Sequence, residues 1–284
     1  LNNQPSREFE LLFMQKRILV KGAGEQASAT AHRLFCCGFQ VLMTEVERPW
    51  AVRRMVSFCE AIFSKEIAVE GVRAVGYNLA QADMLDNFGW DHIPVFVDPE
   101  SQLITRWKPE VVIDARILKV NRDNRIDNAP LVIGFGPGLL AGRDVHYVIE
   151  TNRGHNLGRV IASGFAEPDT GVPGEISGYA QERVLRAPAT GKFQATKQIG
   201  DVLAVGEVVA NIDGCELLAS VSGVLRGLIA SGLEVKCGQK IGDIDPRAKI
   251  EYCYSISDKA RNISGSALEI IIAHFCGRVG MQNR

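Results

Sequence analysis

"RILVKGAGEQASATAHRLFCCGFQVLMTEVE", residues 17–47, is the most organised stretch of the chain. An apolar run, Ile18 to Val20, leads into Gly22-Ala23-Gly24-Glu25-Gln26-Ala27, which is the G-x-G-x-x-G/A pattern. That order predicts a strand, a glycine turn and a helix from about Gln26 to Cys37, with Gly38 as its stop. A second strand, "QVLMTEV", carries Glu45, 21 residues beyond Gly24, where an acid can meet a ribose hydroxyl. Gly22 and Gly24 would let backbone N–H groups approach a phosphate, and the helix N-terminus adds a favourable dipole. Glu25 works against this, because a carboxylate inside the turn repels phosphate or demands a cation.

Downstream, "PWAVRRMVSFCEAIFS" predicts a helix with Arg53 and Arg54 near its start, either a solvated face or an anion-binding pair. "KEIAVEGVRAVGY" predicts a hairpin around Glu70-Gly71, followed by a helix near Leu79 to Asn87. "IPVFVD" and "EVVIDA" are strands ending at Asp98 and Asp114, and "PLVIGFGPG" carries a second glycine cluster, Gly134, Gly136 and Gly138. "DVHYVIE" and "GRVIASGFA" add two more strands. In open α/β sheets ligands gather at the carboxyl edge, near a topological switch point.

"ETNRGHNLGR", residues 150–159, packs Glu150, Asn152, Arg153 and His155 into one loop. If "VHYVI" runs parallel to "ILV", the loop shares an edge with Gly22 and Gly24; if antiparallel, it lies at the other end. No metal site is expected, since His146 and Glu150, four residues apart along a strand, are separated by roughly 13 Å. Asp114, His146 and His155 remain candidate catalytic groups, and the sequence leaves open whether the chain is an enzyme.

Residues 166–186 are rich in Pro, Gly and charge and read as a linker. Beyond it, "APATGKFQATKQIGDVLAVGEVVANID" (187–213) aligns without gaps onto "ASVSGVLRGLIASGLEVKCGQKIGDID" (219–245), a period of 32. Gly191, Gly200 and Gly206 fall in phase with Gly223, Gly232 and Gly238, as expected for two copies of a short-stranded β unit. This region is similar to the biotinyl/lipoyl barrel-sandwich hybrid. Its central hairpin reads Asp213-Gly214-Cys215-Glu216 and lacks the modifiable lysine, so no covalent biotin or lipoate is expected. Ile263, Leu268, Ile271 and Phe275 then recur at helical spacing, with Ser257 or Ser264 as cap.

The predicted fold class is α/β: a Rossmann-like doubly wound sheet, a small all-β barrel-sandwich hybrid and a C-terminal helix. The organisation is a tail (1–16), a Rossmann-like domain (17–165), a linker (166–186), the hybrid (187–245) and a helical segment packing back (246–284). Hydrophobic residues are 46% and charged residues 23%, ordinary for a globular protein. With 32 basic against 33 acidic residues the net charge is -1, which gives no field for nucleic acid or a membrane surface. Apolar runs are too short for a span, the N-terminus has no signal-peptide pattern, and the seven cysteines form no C-x-x-C. A cytoplasmic location follows as an expectation, and a homo-oligomer stays open.

"VKGAGEQASATAHRL", "AVRRMVSF", "VVIDAR", "PLVIGFGPG", "ETNRGHNLGRVI", "GVPGEISGYAQERVLRAP" and "ISDKARNI" together resemble the selenium-dependent molybdenum hydroxylase system (YqeB-type) family of accessory proteins, across residues 17–265. The resemblance implies an accessory or maturation role for a selenium-dependent molybdenum hydroxylase. The ligand would be a nucleotide, NAD(P) included, or a molybdopterin-type cofactor, and the partner the hydroxylase or its maturation machinery. The alternative is an NAD(P)-dependent oxidoreductase, or a selenium- or sulfur-transfer enzyme acting on the molybdenum cofactor.

Overall fold

The computed structural model describes residues 15–277. The tail expected at residues 1–16 therefore lies almost wholly outside the described residues. The first nine strands are β1 (Arg17–Lys21), β2 (Gln40–Glu45), β3 (Glu66–Val69), β4 (Val72–Asn78), β5 (Ile93–Val97), β6 (Val111–Asp114), β7 (Leu131–Phe135), β8 (Tyr147–Ile149) and β9 (Val160–Ile161). They form one mixed sheet in the order β3-β4-β5-β2-β1-β6-β7-β8-β9. The central seven are parallel, and the outer strands β3 and β9 run antiparallel to their neighbours.

Side-chain alternation explains why both sheet faces are covered. Ile18, Val20, Val41, Met43, Val111 and Ile113 share a core with helices α1 (Glu25–Cys36) and, from the far end of the chain, Asp258–Phe275. Leu19, Leu42, Val112 and Val132 face the other way, onto a 3-10 helix at Leu79–Asn87 and a short α-helix at Leu103–Trp107. The segment predicted as one helix across "PWAVRRMVSFCEAIFS" is instead a 3-10 turn at Arg54–Val56 followed by α2 (Glu60–Ser64). The break has a local cause: Phe58 N–H donates to Ser28 Oγ and Cys59 N–H to the Ala23 carbonyl. Those donors are used to anchor the segment to α1 and the glycine turn. The helix at Leu103–Trp107, α3, was not anticipated; Asp98 starts it by accepting the N–H groups of Gln102 and Leu103.

Two four-stranded antiparallel sheets follow. One contains β10 (Val184–Arg186), β17 (Lys240–Asp245), β15 (Gly223–Leu228) and β12 (Val202–Leu203); the other contains β14 (Cys215–Leu218), β13 (Val208–Ile212), β11 (Gly191–Ala195) and β16 (Glu234–Val235). The 32-residue repeat maps one sheet onto the other in the same strand order, with β10 matched to β14. The last residues read as linker therefore already form a strand. Gly191 and Gly223 adopt φ of 154° and 155°, and both sit where a side chain would strike the turn that closes the unit. Phe193, Ile212, Leu225 and Ile244 fill the core between the sheets.

Helix α4 (Asp258–Phe275) follows, with Ser257 Oγ accepting Ala260 N–H as its cap. It packs on α1 rather than on the repeat module, burying Ala260, Ile263, Ala267 and Ile271. Among the described residues no helix is long and apolar enough to cross a membrane.

Candidate functional site

Because β2 and β5 lie on one side of β1 and β6 to β8 on the other, the chain reverses direction between β1 and β6. A cavity of about 840 Å³ opens at the carboxyl ends of those strands. Gly22 and Gly24 form its floor, Trp50 and Val46 one lip, and Arg183, Arg226 and Lys240 of the repeat module the opposite wall. The segment before Arg54 braces the two parts: Leu228 N–H donates to the Val52 carbonyl, and Arg54 Nε to the Leu228 carbonyl.

The glycine turn is as the pattern requires. Gly22 has φ +90°, and Gly24 caps α1 with no side-chain hydrogen bond. Glu45 sits beneath the turn, accepting Ala23 N–H and Val46 N–H, each at 2.8 Å. Burial raises its carboxyl above the usual range, against those two bonds. Glu25 lines the cavity and meets Arg53 Nη1 at 3.3 Å, so the carboxylate in the turn has its cation. Arg53 is itself buried; it donates to the Tyr252 carbonyl at 2.8 Å, and its Nε has no partner. Burial lowers the guanidinium's affinity for its proton, and Glu25 offsets part of that.

Other predicted residues fall elsewhere. Arg54 lies outside the cavity and ties Glu60 to the module at 2.7 Å. Asp114 is buried beneath Arg116 and Asn124, a loop anchor rather than an exposed acid. Gly134 and Gly138 do not line the cavity: a Cβ at the first would meet Leu139, and at the second the backbone of Leu118 to Val120. Gly136, at φ +79°, faces Ile117 and Thr151. These glycines serve close packing of loop on strand. His146 precedes β8, at the opposite edge; its Nδ1 accepts Val132 N–H, and burial with His274 nearby lowers its pKa. His155 is exposed. Asp114, His146 and His155 are thus not brought together.

The loop after β8 does reach the glycine edge, because β8 is parallel to β7, β6 and β1. Glu150 turns inward, accepting Asn152 N–H at 2.7 Å and Glu167 N–H at 2.6 Å. Asn152 and Arg153 instead line a second cavity, of about 600 Å³, whose far wall is the Pro-rich segment 167–174. Arg153 holds Asp258, at the start of α4, through two bonds of 3.1 Å. That contact lowers the Asp258 carboxyl to about 2. A depressed acid contributes stability that is full above its unfolded value, near 4, and is lost as pH falls towards 2. Arg153→Gln should flatten that acid limb in urea midpoints measured from pH 5 to pH 2, and an unchanged limb would refute the assignment.

Sequence reading missed Lys21, Trp50, Arg183, Arg226, Lys240 and Lys259. Lys21 is buried at the end of β1, donating to Asp123 at 2.8 Å and Asn124 at 3.0 Å, which clamps the loop after β6. Trp50, 39% exposed at the cavity lip, carried a signal in its place just after β2, behind Pro49. The module's cations had none, because the sequence does not say which face the module turns towards the sheet. Among the described residues no group of three His, Cys, Asp or Glu side chains converges as a metal site.

No family model matches the chain. Solved structures matched include the apo ectoine utilization protein EutE (DoeB) from Ruegeria pomeroyi, at 9% identity and a TM-score of 0.24 over 81% of this chain and 86% of that one. A succinylglutamate desuccinylase/aspartoacylase from Rhodobacter sphaeroides matches at 14% identity and a TM-score of 0.24, with the same coverage. Likenesses that low carry no argument about fold or chemistry. The uncharacterized protein YqeB of Escherichia coli (strain K12) is 47% identical over 256 residues, which is 90% of this chain and 47% of the relative. The chain is thus similar to a YqeB-type protein over most of its own length and spans about half of that relative.

Proposed function

We propose that the chain is an accessory factor that holds a phosphate-bearing heterocycle, a nucleotide or molybdopterin-type cofactor, during maturation of a selenium-dependent molybdenum hydroxylase. The observation that carries the ligand part is the glycine turn at the switch point. There the first N–H groups of α1 face a cavity, and Glu25 is already neutralised by Arg53. Such a helix start attracts anions. Trp50 at the lip offers an indole face to a planar ring, a contact worth roughly 1–3 kcal/mol where bases stack on aromatics. The strand order supports a Rossmann-like sheet, and the matched repeat supports a lysine-less barrel-sandwich hybrid that serves as a wall and a docking body. The pathway itself rests on the sequence resemblance, and the partner would be the hydroxylase or its machinery.

The scatter of Asp114, His146 and His155 weighs against the NAD(P) oxidoreductase alternative. Thermal unfolding with NAD, NADP, ATP, CTP and molybdopterin tests the reading. A true ligand at a hundredfold over its Kd should add about 2.7 kcal/mol, and Trp50→Ala should remove much of the shift. No shift with any compound would overturn the ligand reading; NAD(P) stabilisation with turnover would replace the accessory role by an enzyme.

A further inference from the structure

We propose that Lys240 and Lys259, which with Arg183 line the seam between two cavities, form a second anion subsite that receives a phosphate or carboxylate group remote from the glycine turn. The proposal extends the ligand reading above, because it places a second charge on the same ligand. The two cavities meet at these residues: Ile117, Arg183, Lys240 and Lys259 line both the larger cavity and the one walled by segment 167–174. A ligand lying in the first cavity with a charged group at this seam would touch the sheet, the repeat module and α4 at once.

The charges at the seam are not balanced from within. Arg153 is matched by Asp258, and Arg53 by Glu25. Arg183, Arg226 and Arg247 share only Asp243 and Asp245, three cations against two carboxylates. Glu150 and Glu167 accept only from neutral N–H and amide donors and keep their charge, while Asp169 pairs with Lys119. The amines of Lys240 and Lys259 have neither hydrogen bond nor ion pair among the described residues. Arg183, Arg226, Arg247, Lys240 and Lys259 thus stand against Asp243, Asp245, Glu150 and Glu167, and one positive charge is in surplus.

Position makes the surplus more costly. Lys259 lies in the first turn of α4, where the helix dipole is already positive. Arg153 stands near it, and Arg183 and Arg226 stand near Lys240. For both amines partial withdrawal from water lowers the proton affinity, although Lys240 keeps an exposed surface; Asp243 and Glu25 act in the opposite sense at Lys240, and Glu25, Glu150 and Asp169 at Lys259. Arg183, by contrast, is fixed: it is buried, bonds Asp243 and donates to the Gly174 carbonyl at 2.7 Å. Two unpaired amines and a rigid guanidinium lining the junction of two cavities are what an anionic group would need.

Inorganic pyrophosphate and citrate are the probes, separating a phosphate group from a carboxylate one. Isothermal titration of the parent chain should show one of them binding, and Lys240→Gln/Lys259→Gln should weaken it at least tenfold. Without anion, the double variant should unfold at the same temperature as the parent or higher, because it relieves repulsion. In the parent, pyrophosphate or citrate should slow amine acetylation of Lys240 and Lys259 but not of Lys236 or Lys249. Failure of both anions to bind, or equal binding by the double variant, would overturn the subsite. If nucleotides or molybdopterin stabilise parent and double variant alike, the subsite fails while the ligand reading stands. If pyrophosphate binds at the lysines but no heterocycle stabilises the chain, the subsite stands and the ligand reading fails.

Discussion

Asp243→Ala should cost the chain about 3–5 kcal/mol of stability, as expected when one partner of a buried ion network is removed. Asp243 is 2% exposed and accepts from both Arg183 and Arg226. Its loss leaves the buried Arg183 with no carboxylate partner and Arg226 with Asp245 alone. Asp243→Asn should cost less, since an amide oxygen still accepts one of those bonds. Urea denaturation, with midpoint and slope both fitted, provides the measurement. Asp127→Ala is the control, because the Arg125–Asp127 pair is solvent-exposed and pairs of that kind contribute little to stability. Equal losses for Asp243→Ala and Asp127→Ala would refute the network's structural role.

Gly138→Ala should cost about 1–3 kcal/mol through overpacking. The added methyl would fall on the Leu118 carbonyl oxygen, 2.6 Å from Lys119 C and 2.6 Å from Val120 N. These are backbone atoms, so no side chain can swing aside. The displaced segment also carries Arg122 and Asp123, which line the larger cavity, and Asp123 is held by Lys21. Ligand-induced stabilisation should therefore fall more than the loss of stability alone accounts for. Gly89→Ala, with open space at its Cβ, should stay within about 0.5 kcal/mol. A harmless Gly138→Ala would mean the loop is free to move and does not close that side of the cavity.

Much of the architecture was legible because it is written in local periodicity. The glycine turn, the hairpin at Glu70-Gly71, the strands ending at Asp98 and Asp114 and the 32-residue repeat are patterns within single segments. The repeat even carried strand order, since residues 32 apart occupy equivalent places in two sheets. What stayed hidden depends on partners distant in sequence. The helix predicted after Pro49 breaks because Ser28 and Ala23 take its N–H donors. Gly134 and Gly138 read as a second glycine cluster at the ligand-binding edge, yet a neighbouring side chain and a neighbouring loop explain them. Glu150 and Arg153 stood side by side in the sequence, but one stabilises its own loop and the other reaches α4. The cations of the module belong to a surface whose facing is set only by docking.

The placement of α4 on α1 also bears on how the chain is made. The face of α1 that buries Ala260, Ile263, Ala267 and Ile271 belongs to the first fifty residues, while its cover comes from beyond residue 258. During synthesis that face stays bare while the whole repeat module is translated and folded, since domains form as units from the N-terminus. The module, inserted between sheet and cover, delays closure of the first core and adds sequence separation to its contacts, which slows folding. Once α4 seats, the module is secured at both ends of its own sequence. It cannot swing away as an arm on a single tether would.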